Sequence, residues 1–192
     1  MTRRRTDIIL AEKDGDILAL VGALESSDAT IRSSALGALD RLESLPDEQV
    51  VRALSDSDAR VRCRAVEVAV SRPALDLLAF LDDQDDLVVE TTAWALGERG
   101  DGDNATISAL SQVAEDHKVS ICREASIAAL GAIGARKGLP AILRGMSDRA
   151  PVRRRAVLAL APFDSEEVTA ALQAALHDRD RQVRQAAEDL LG

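Results

Sequence analysis

Asp28-Ala29-Thr30-Ile31-Arg32-Ser33-Ser34-Ala35-Leu36-Gly37-Ala38-Leu39 is the stretch that decides the fold, because the chain says it again. It returns as Asp58-Ala59-Arg60-Val61-Arg62-Cys63-Arg64-Ala65-Val66-Glu67-Val68-Ala69 and as Asp85-Asp86-Leu87-Val88-Val89-Glu90-Thr91-Thr92-Ala93-Trp94-Ala95-Leu96-Gly97. Shorter versions follow at Cys122–Gly131, Val152–Leu160 and Val183–Gly192. The apolar anchor falls at positions 31, 61, 88, 122, 152 and 183, so the spacings are 30, 27, 34, 30 and 31. A fixed period of this size marks a repeat architecture, in which each unit is one supersecondary motif.

Each phrase carries apolar residues on one side of a helix, as Val88, Thr92, Ala95 and Leu96 do in the third unit. Upstream of each phrase lies a second run with i, i+3/i+4, i+7 spacing: Ile17-Leu20-Val21-Leu24, Val50-Val51-Leu54, Leu75-Leu78-Leu81, Ile107-Leu110-Val113, Leu139-Ile142-Leu143-Met146 and Val168-Leu172-Leu176. That period is one face of a helix. Each unit is therefore a helical hairpin, helix A then helix B. Asp28, Asp58, Asp85 and Asp180 stand three residues before their anchors, where a carboxylate caps the first amides of a helix. Breaker-rich stretches separate the units: Leu45-Pro46-Asp47, Ser71-Arg72-Pro73, Gly97 to Asn104, Gly134 to Gly138, and Ala161-Pro162-Phe163-Asp164. Gly97, Gly100 and Gly102 read as a helix C-cap and loop.

A lone hairpin of this size cannot bury its apolar face, but stacked neighbours can. The expected fold is all-α, a right-handed α-solenoid of about six hairpins. Their spans are 15–42, 47–72, 74–100, 105–134, 138–162 and 165–192, in a single repeat domain, with residues 1–14 as an N-terminal cap holding a short helix near 6–13. Composition agrees. The 192 residues include 33 Ala and 25 Leu but three aromatics, Phe80, Trp94 and Phe163. Strands favour β-branched and aromatic side chains, so an all-β fold is excluded, and small residues let neighbouring helices approach closely.

The phrase anchor-Arg-x-x-Ala-Ala-x-Ala-Leu-Gly, behind an Asp-rich turn, resembles the HEAT-like repeats of the phycobilisome-lyase type. The match is best at Val88–Gly97, Cys122–Gly131 and Val183–Gly192, and it extends over most of residues 15–192. The resemblance implies that B helices line a concave surface and A helices a convex one. It implies a scaffold or adaptor as readily as a bilin-lyase subunit acting on a phycobiliprotein-type partner, since fold does not fix function. It also implies a structural role for the recurring Arg, here Arg32, Arg62, Arg123, Arg153 and Arg184. A cation in the first turn of a helix opposes the helix dipole, so a fixed acidic partner is expected. The Asp at i−4 (Asp28, Asp58, Asp180) and the Asp of a neighbouring turn both qualify. The third unit breaks the series with Val89.

The formal charge is −9, a poor match for nucleic acid or an anionic membrane. No apolar run is long enough to span a bilayer. The Arg3-Arg4-Arg5 opening is followed by Ile8-Ile9-Leu10 and then by charges, which leaves no signal-peptide core. Two cysteines about two units apart, Cys63 and Cys122, fit a reducing cytoplasm; Cys63 is expected on the surface. No nucleophile–base pair, metal-ligand spacing or phosphate loop emerges, so no catalytic residue, metal or cofactor is expected.

The candidate site rests on one column, the position between the Ala-Ala and Ala-Leu pairs of helix B, which should face the groove. Its occupants are Gly37, Glu67, Trp94, Ala128, Leu158 and Asp189. Trp is among the side chains most enriched at binding hot spots. Trp94 therefore centres either a partner-binding patch, with Glu90, Glu98, Glu67, Arg64, Glu124, Leu158, Arg154 and Arg155 around it, or a plug between units. Residues 142–155 form a basic edge suited to an acidic segment or phosphate. The expected partner is a protein, with weak homo-oligomerisation through the terminal repeats.

Overall fold

A computed structural model describes residues 4–192, so Arg3 of the basic opening and the first residues of the cap lie outside the described residues. Every regular element among them is helical. The chain forms two compact units, Met1–Leu77 and Leu78–Gly192.

The first unit holds α1 (Arg5–Asp14), α2 (Ile17–Ala23), α3 (Ala29–Arg41), α4 (Asp47–Leu54) and α5 (Ala59–Ala69). α2 with α3 and α4 with α5 form two hairpins, and α3 packs on α5. α1 covers α2 and α3, and its Glu12 receives a two-pronged bond from Arg41, at 2.6 and 2.8 Å. The core is aliphatic: Leu20, Ile31, Leu36, Leu39, Val50 and Val61 are fully buried.

The second unit holds a 3₁₀ helix at Leu78–Asp82, then α6 (Asp86–Arg99), α7 (Asn104–Asp116) and α8 (Ser120–Ile133). A short 3₁₀ turn at Arg136–Gly138 leads into α9 (Leu139–Gly145), α10 (Ala150–Ala159), α11 (Glu166–Ala175) and α12 (Arg181–Leu191). The B helices α6, α8, α10 and α12 pack in sequence, each against the next, and α7, α9 and α11 pack on their own partners.

The caps explain where helices begin. Asp28, Asp58, Asp85 and Asp180 sit in extended backbone, and their carboxylates accept from the amides of Thr30, Arg60, Leu87 and Gln182. Two elements depart from the pattern. The A helix of the third hairpin, expected from Leu75, Leu78 and Leu81, is only the 3₁₀ helix at Leu78–Asp82. Pro73 and the Asp82–Asp85 turn leave it too little chain, and a strict spacing of three is the 3₁₀ period. Gly97 lies inside α6 and is not a cap; the cap is Gly100, in the left-handed region at φ 70°. What Gly97 does is let α6 meet α8, since a Cβ there would stand 2.9 Å from Ala129 Cα. Gly131 does the same between α8 and α10, where a Cβ would come within 2.7 Å of Ala159 Cα.

Candidate functional site

The recurring Arg reach forward. Arg32 binds Asp56 through two nitrogens at 2.8 and 2.6 Å. Arg123 binds Asp148 at 2.6 and 2.8 Å, and Arg153 binds Asp178 at 2.8 and 2.7 Å. Each guanidinium thus joins its hairpin to the turn of the next one, and also donates to a carbonyl of its own turn: Ser26, His117 and Asp148 respectively. Arg62 donates to the Asp56 carbonyl and Arg184 to the Asp178 carbonyl. The i−4 partners are corrected by this geometry. Asp28, Asp58 and Asp180 spend their carboxylates on capping, and Asp58 additionally pairs with Arg60. The Arg60 guanidinium draws Asp58 down to about 2. Asp56, Asp148 and Asp178 are each held below the ordinary carboxylate range, first by their hydrogen bonds from Arg32, Arg123 and Arg153. These Arg are therefore committed to protein partners.

The basic edge of residues 142–155 is neutralised in part. Arg144 pairs with Glu115, Arg153 with Asp178 and Arg155 with Glu124. An acidic ligand at these three would have to displace their carboxylates, whereas Arg149 and Arg154 are exposed and form no ion pair among the described residues. Arg154 is exposed on α10.

Around Trp94 the helices leave a groove of about 350 Å³. α6 contributes Glu90, Trp94, Gly97 and Glu98; α8 contributes Ile121, Glu124, Ala125, Ala128, Ala129 and Ala132; α10 contributes Arg155. Trp94 is 47% exposed, and Ile121 is 43% exposed. The small side chains of the lining are Gly97, Ala125, Ala128, Ala129 and Ala132, and the Trp94 ring beside them is about half exposed. A second hollow shares Ala128, Ala132 and Arg155 and continues to Leu158, itself 36% exposed, and to Pro162. Of the residues expected around Trp94, the structure brings together Glu90, Glu98, Glu124 and Arg155, with Leu158 in the adjoining hollow. Arg64 and Glu67 belong to the first unit, where they form an ion pair with each other. Ile121 was not singled out by the sequence reading. The place before the anchor gave little signal, since it holds Thr30, Arg60, Pro151 and Gln182 but also the exposed Leu87 in other hairpins.

Both cysteines are buried and outside any disulfide, Cys63 against expectation, because α5 turns it into packed surface. Near the groove, Asp86, His117 and Cys122 place their ligand atoms within 4.8 Å of one another. Their hydrogen bonds tie the turn before α8 to the start of α6. His117 Nδ1 accepts from the Val119 amide at 3.2 Å, which leaves the proton of the neutral ring on Nε2. Nε2 faces Asp86 Oδ1 at 3.8 Å. The Cys122 thiol donates to the Asp86 carbonyl at 3.3 Å, and burial, reinforced by Asp86 and Glu90, pushes it up to about 11.

Stacked helical hairpins joined by close B-helix contacts define an α-helical repeat protein of the solenoid class. Residues 48–131 and 123–192 match the HEAT repeats family, and the chain belongs to it. Solved structures share the fold. The Escherichia coli protein YibA is 18% identical over 100% of this chain and 75% of its own, with a TM-score of 0.69. An engineered protein is 19% identical over 92% of this chain and 95% of its own, with a TM-score of 0.62. A designed armadillo repeat protein solved with the peptide (KR)4 is 19% identical over 90% of this chain and 97% of its own, also at 0.62. A search among curated proteins finds no significant match. No helix among the described residues is long and apolar enough to cross a membrane.

Proposed function

We propose that the chain is a non-catalytic interaction scaffold that holds a protein partner on the exposed face of its B helices, with Trp94 as the anchor. The observation that carries this is the half-exposed Trp94 ring beside the Gly and Ala of a groove lining. Trp is among the side chains most enriched at the centres of binding surfaces, where it fills a partner's pocket or meets a partner's side chain. A designed protein of the same fold was solved holding a peptide, which supports a peptide-sized occupant. Two buried thiols outside any disulfide favour a reducing compartment, and we place the protein in the cytoplasm. The bilin-lyase reading draws no support from the groove, whose lining holds a single aromatic ring and an ion pair.

The test is to pan a displayed peptide library on the full chain and on Trp94→Ala. Peptides recovered on the first should bind the second about 30-fold more weakly, the size of a hot-spot loss, while the melting temperature stays the same. Binders indifferent to Trp94, or a Trp94→Ala protein that unfolds several degrees lower, would overturn the reading.

A further inference from the structure

The groove's own charges state what can lie in it. Glu90 and Glu98 stand one turn before and one turn after Trp94 on α6, so all three share a face. Glu124 enters from α8. The cation in this lining is Arg155, which reaches Glu124 only at 3.4 Å through each of two nitrogens. Among the described residues neither Glu90 nor Glu98 forms an ion pair, whereas Asp56, Asp148 and Asp178 are each bound by an Arg. Two uncommitted carboxylates therefore bracket an exposed indole, whose ring face is itself negative and attracts cations.

Resting on the groove reading above, we infer that the occupant is a basic protein segment, with an Arg or Lys side chain laid on the Trp94 ring between Glu90 and Glu98. The complement is chemical as well as electrostatic. The stem of a long cationic side chain is apolar, and it meets the Ala and Gly of the lining while its head meets the carboxylates. Ile121 at one side and Leu158 in the adjoining hollow offer aliphatic contacts to neighbouring residues of the same segment. An acidic segment is repelled by three carboxylates, and the one arginine of the lining already faces Glu124.

Trp94 is the sole tryptophan, so its fluorescence reports on the groove alone. The experiment titrates the full chain with an octapeptide of alternating Lys and Arg, and with octapeptides of alternating Gln and Ser and of alternating Glu and Ser. The basic peptide should change Trp94 emission, with an affinity that falls about tenfold between low and high salt. Glu90→Gln with Glu98→Gln should weaken it about tenfold and leave the melting temperature alone. Glu166→Gln with Glu167→Gln removes the same charge from the start of α11 and should leave binding unchanged. Equal loss in both double variants would mean diffuse attraction to an acidic chain and would overturn the inference. So would a neutral or acidic octapeptide binding as well as the basic one. Trp94-dependent display peptides with no basic residue would sink the inference while leaving the scaffold reading intact; display peptides indifferent to Trp94 would remove the scaffold reading itself.

Discussion

Within residues 78–192 the B helices meet at three junctions, and two of them are built alike. At α8/α10 the guanidinium of Arg123 grips Asp148, and at α10/α12 that of Arg153 grips Asp178. At α6/α8 the corresponding places hold Val89, fully buried, and His117. His117 still does part of the work of the missing Asp. Its Nδ1 accepts from the amide two residues on, as Asp178 accepts from Asp180. What it lacks is the Arg from the preceding hairpin. The small-residue column differs too. It reads Ala35, Ala65, Ala156 and Ala187 elsewhere, but Thr92 and Ser126 here. The junction that departs from the repeat is the one that carries the exposed Trp94. A repeat tolerates local departures from its own rules where a site is being built, and this coincidence points to α6/α8 independently of the ring itself.

The largest effect should come from breaking a regular junction. Asp178→Asn keeps the turn acceptor but leaves Arg153, only 7% exposed in its side chain, without its counter-charge. Removing one partner of a largely buried pair costs about 3 kcal/mol, readable by urea denaturation at pH 7. The acid dependence has a definite sign. Arg153 lowers the Asp178 pKa in the folded state. The stabilisation is thus complete above the unfolded value of about 4 and disappears as pH falls through the lowered native value. The gap between wild type and variant should therefore close in acid. A gap constant with pH would mean that the pair does not stabilise the junction.

The irregular junction can be rebuilt to match. Val89→Arg alone buries an unpaired cation and should cost about 2 kcal/mol. Adding His117→Asp supplies the carboxylate at the place where the other turns carry it, and should recover at least half of that loss. Strictly additive effects in this cycle would mean that the α6/α8 junction is not a lapsed copy of the others.

Much of this was legible in advance. The period, the hairpins and four Asp caps follow from apolar spacing and a carboxylate three residues before each anchor, because capping is decided within a few residues of chain. The third A helix was not legible: Leu75, Leu78 and Leu81 fit a 3₁₀ turn as well as one face of an α-helix over so short a run. The Arg partners were ambiguous for another reason. Whether Arg32 finds Asp28 or Asp56 depends on what else Asp28 is doing, and its amide contact decides that. Trp94 stood out through its column. Of the small residues beside it only Ala128, in the same column, was legible; Ala125 and Ala132 read only as good helix formers until α10 is placed beside α8.

The close contacts offer a smaller comparison. Gly131→Ala brings a methyl to 2.7 Å from Ala159 Cα, and Gly97→Ala brings one to 2.9 Å from Ala129 Cα. Both obstacles are backbone. Overpacking costs about 1–3 kcal/mol, and the better helix propensity of Ala returns up to about 1. A net loss of about 1–2 kcal/mol is expected for Gly131→Ala and somewhat less for Gly97→Ala. The second variant also narrows the groove and should weaken peptide binding; the first should not. Equal binding defects in the two would detach Gly97 from the groove.

The smallest effects should run the other way. Thr92 Oγ1 and Ser126 Oγ are fully buried, and neither finds a hydrogen-bond partner among the described residues. A buried hydroxyl left unpaired loses its hydration without return. The Ala at this place in the other hairpins suffers no such loss. Ser126→Ala should therefore stabilise by about 0.5–1 kcal/mol, a rise of about 2 °C in melting temperature for a chain of this size. Thr92→Ala should gain less, because it also deletes a packed methyl and opens a small void. A fall of 1 kcal/mol or more in both would show that the hydroxyls are satisfied. In that case the α6/α8 junction would keep its Thr and Ser for stability, and its difference from the regular junctions would rest on Val89, His117 and Trp94 alone.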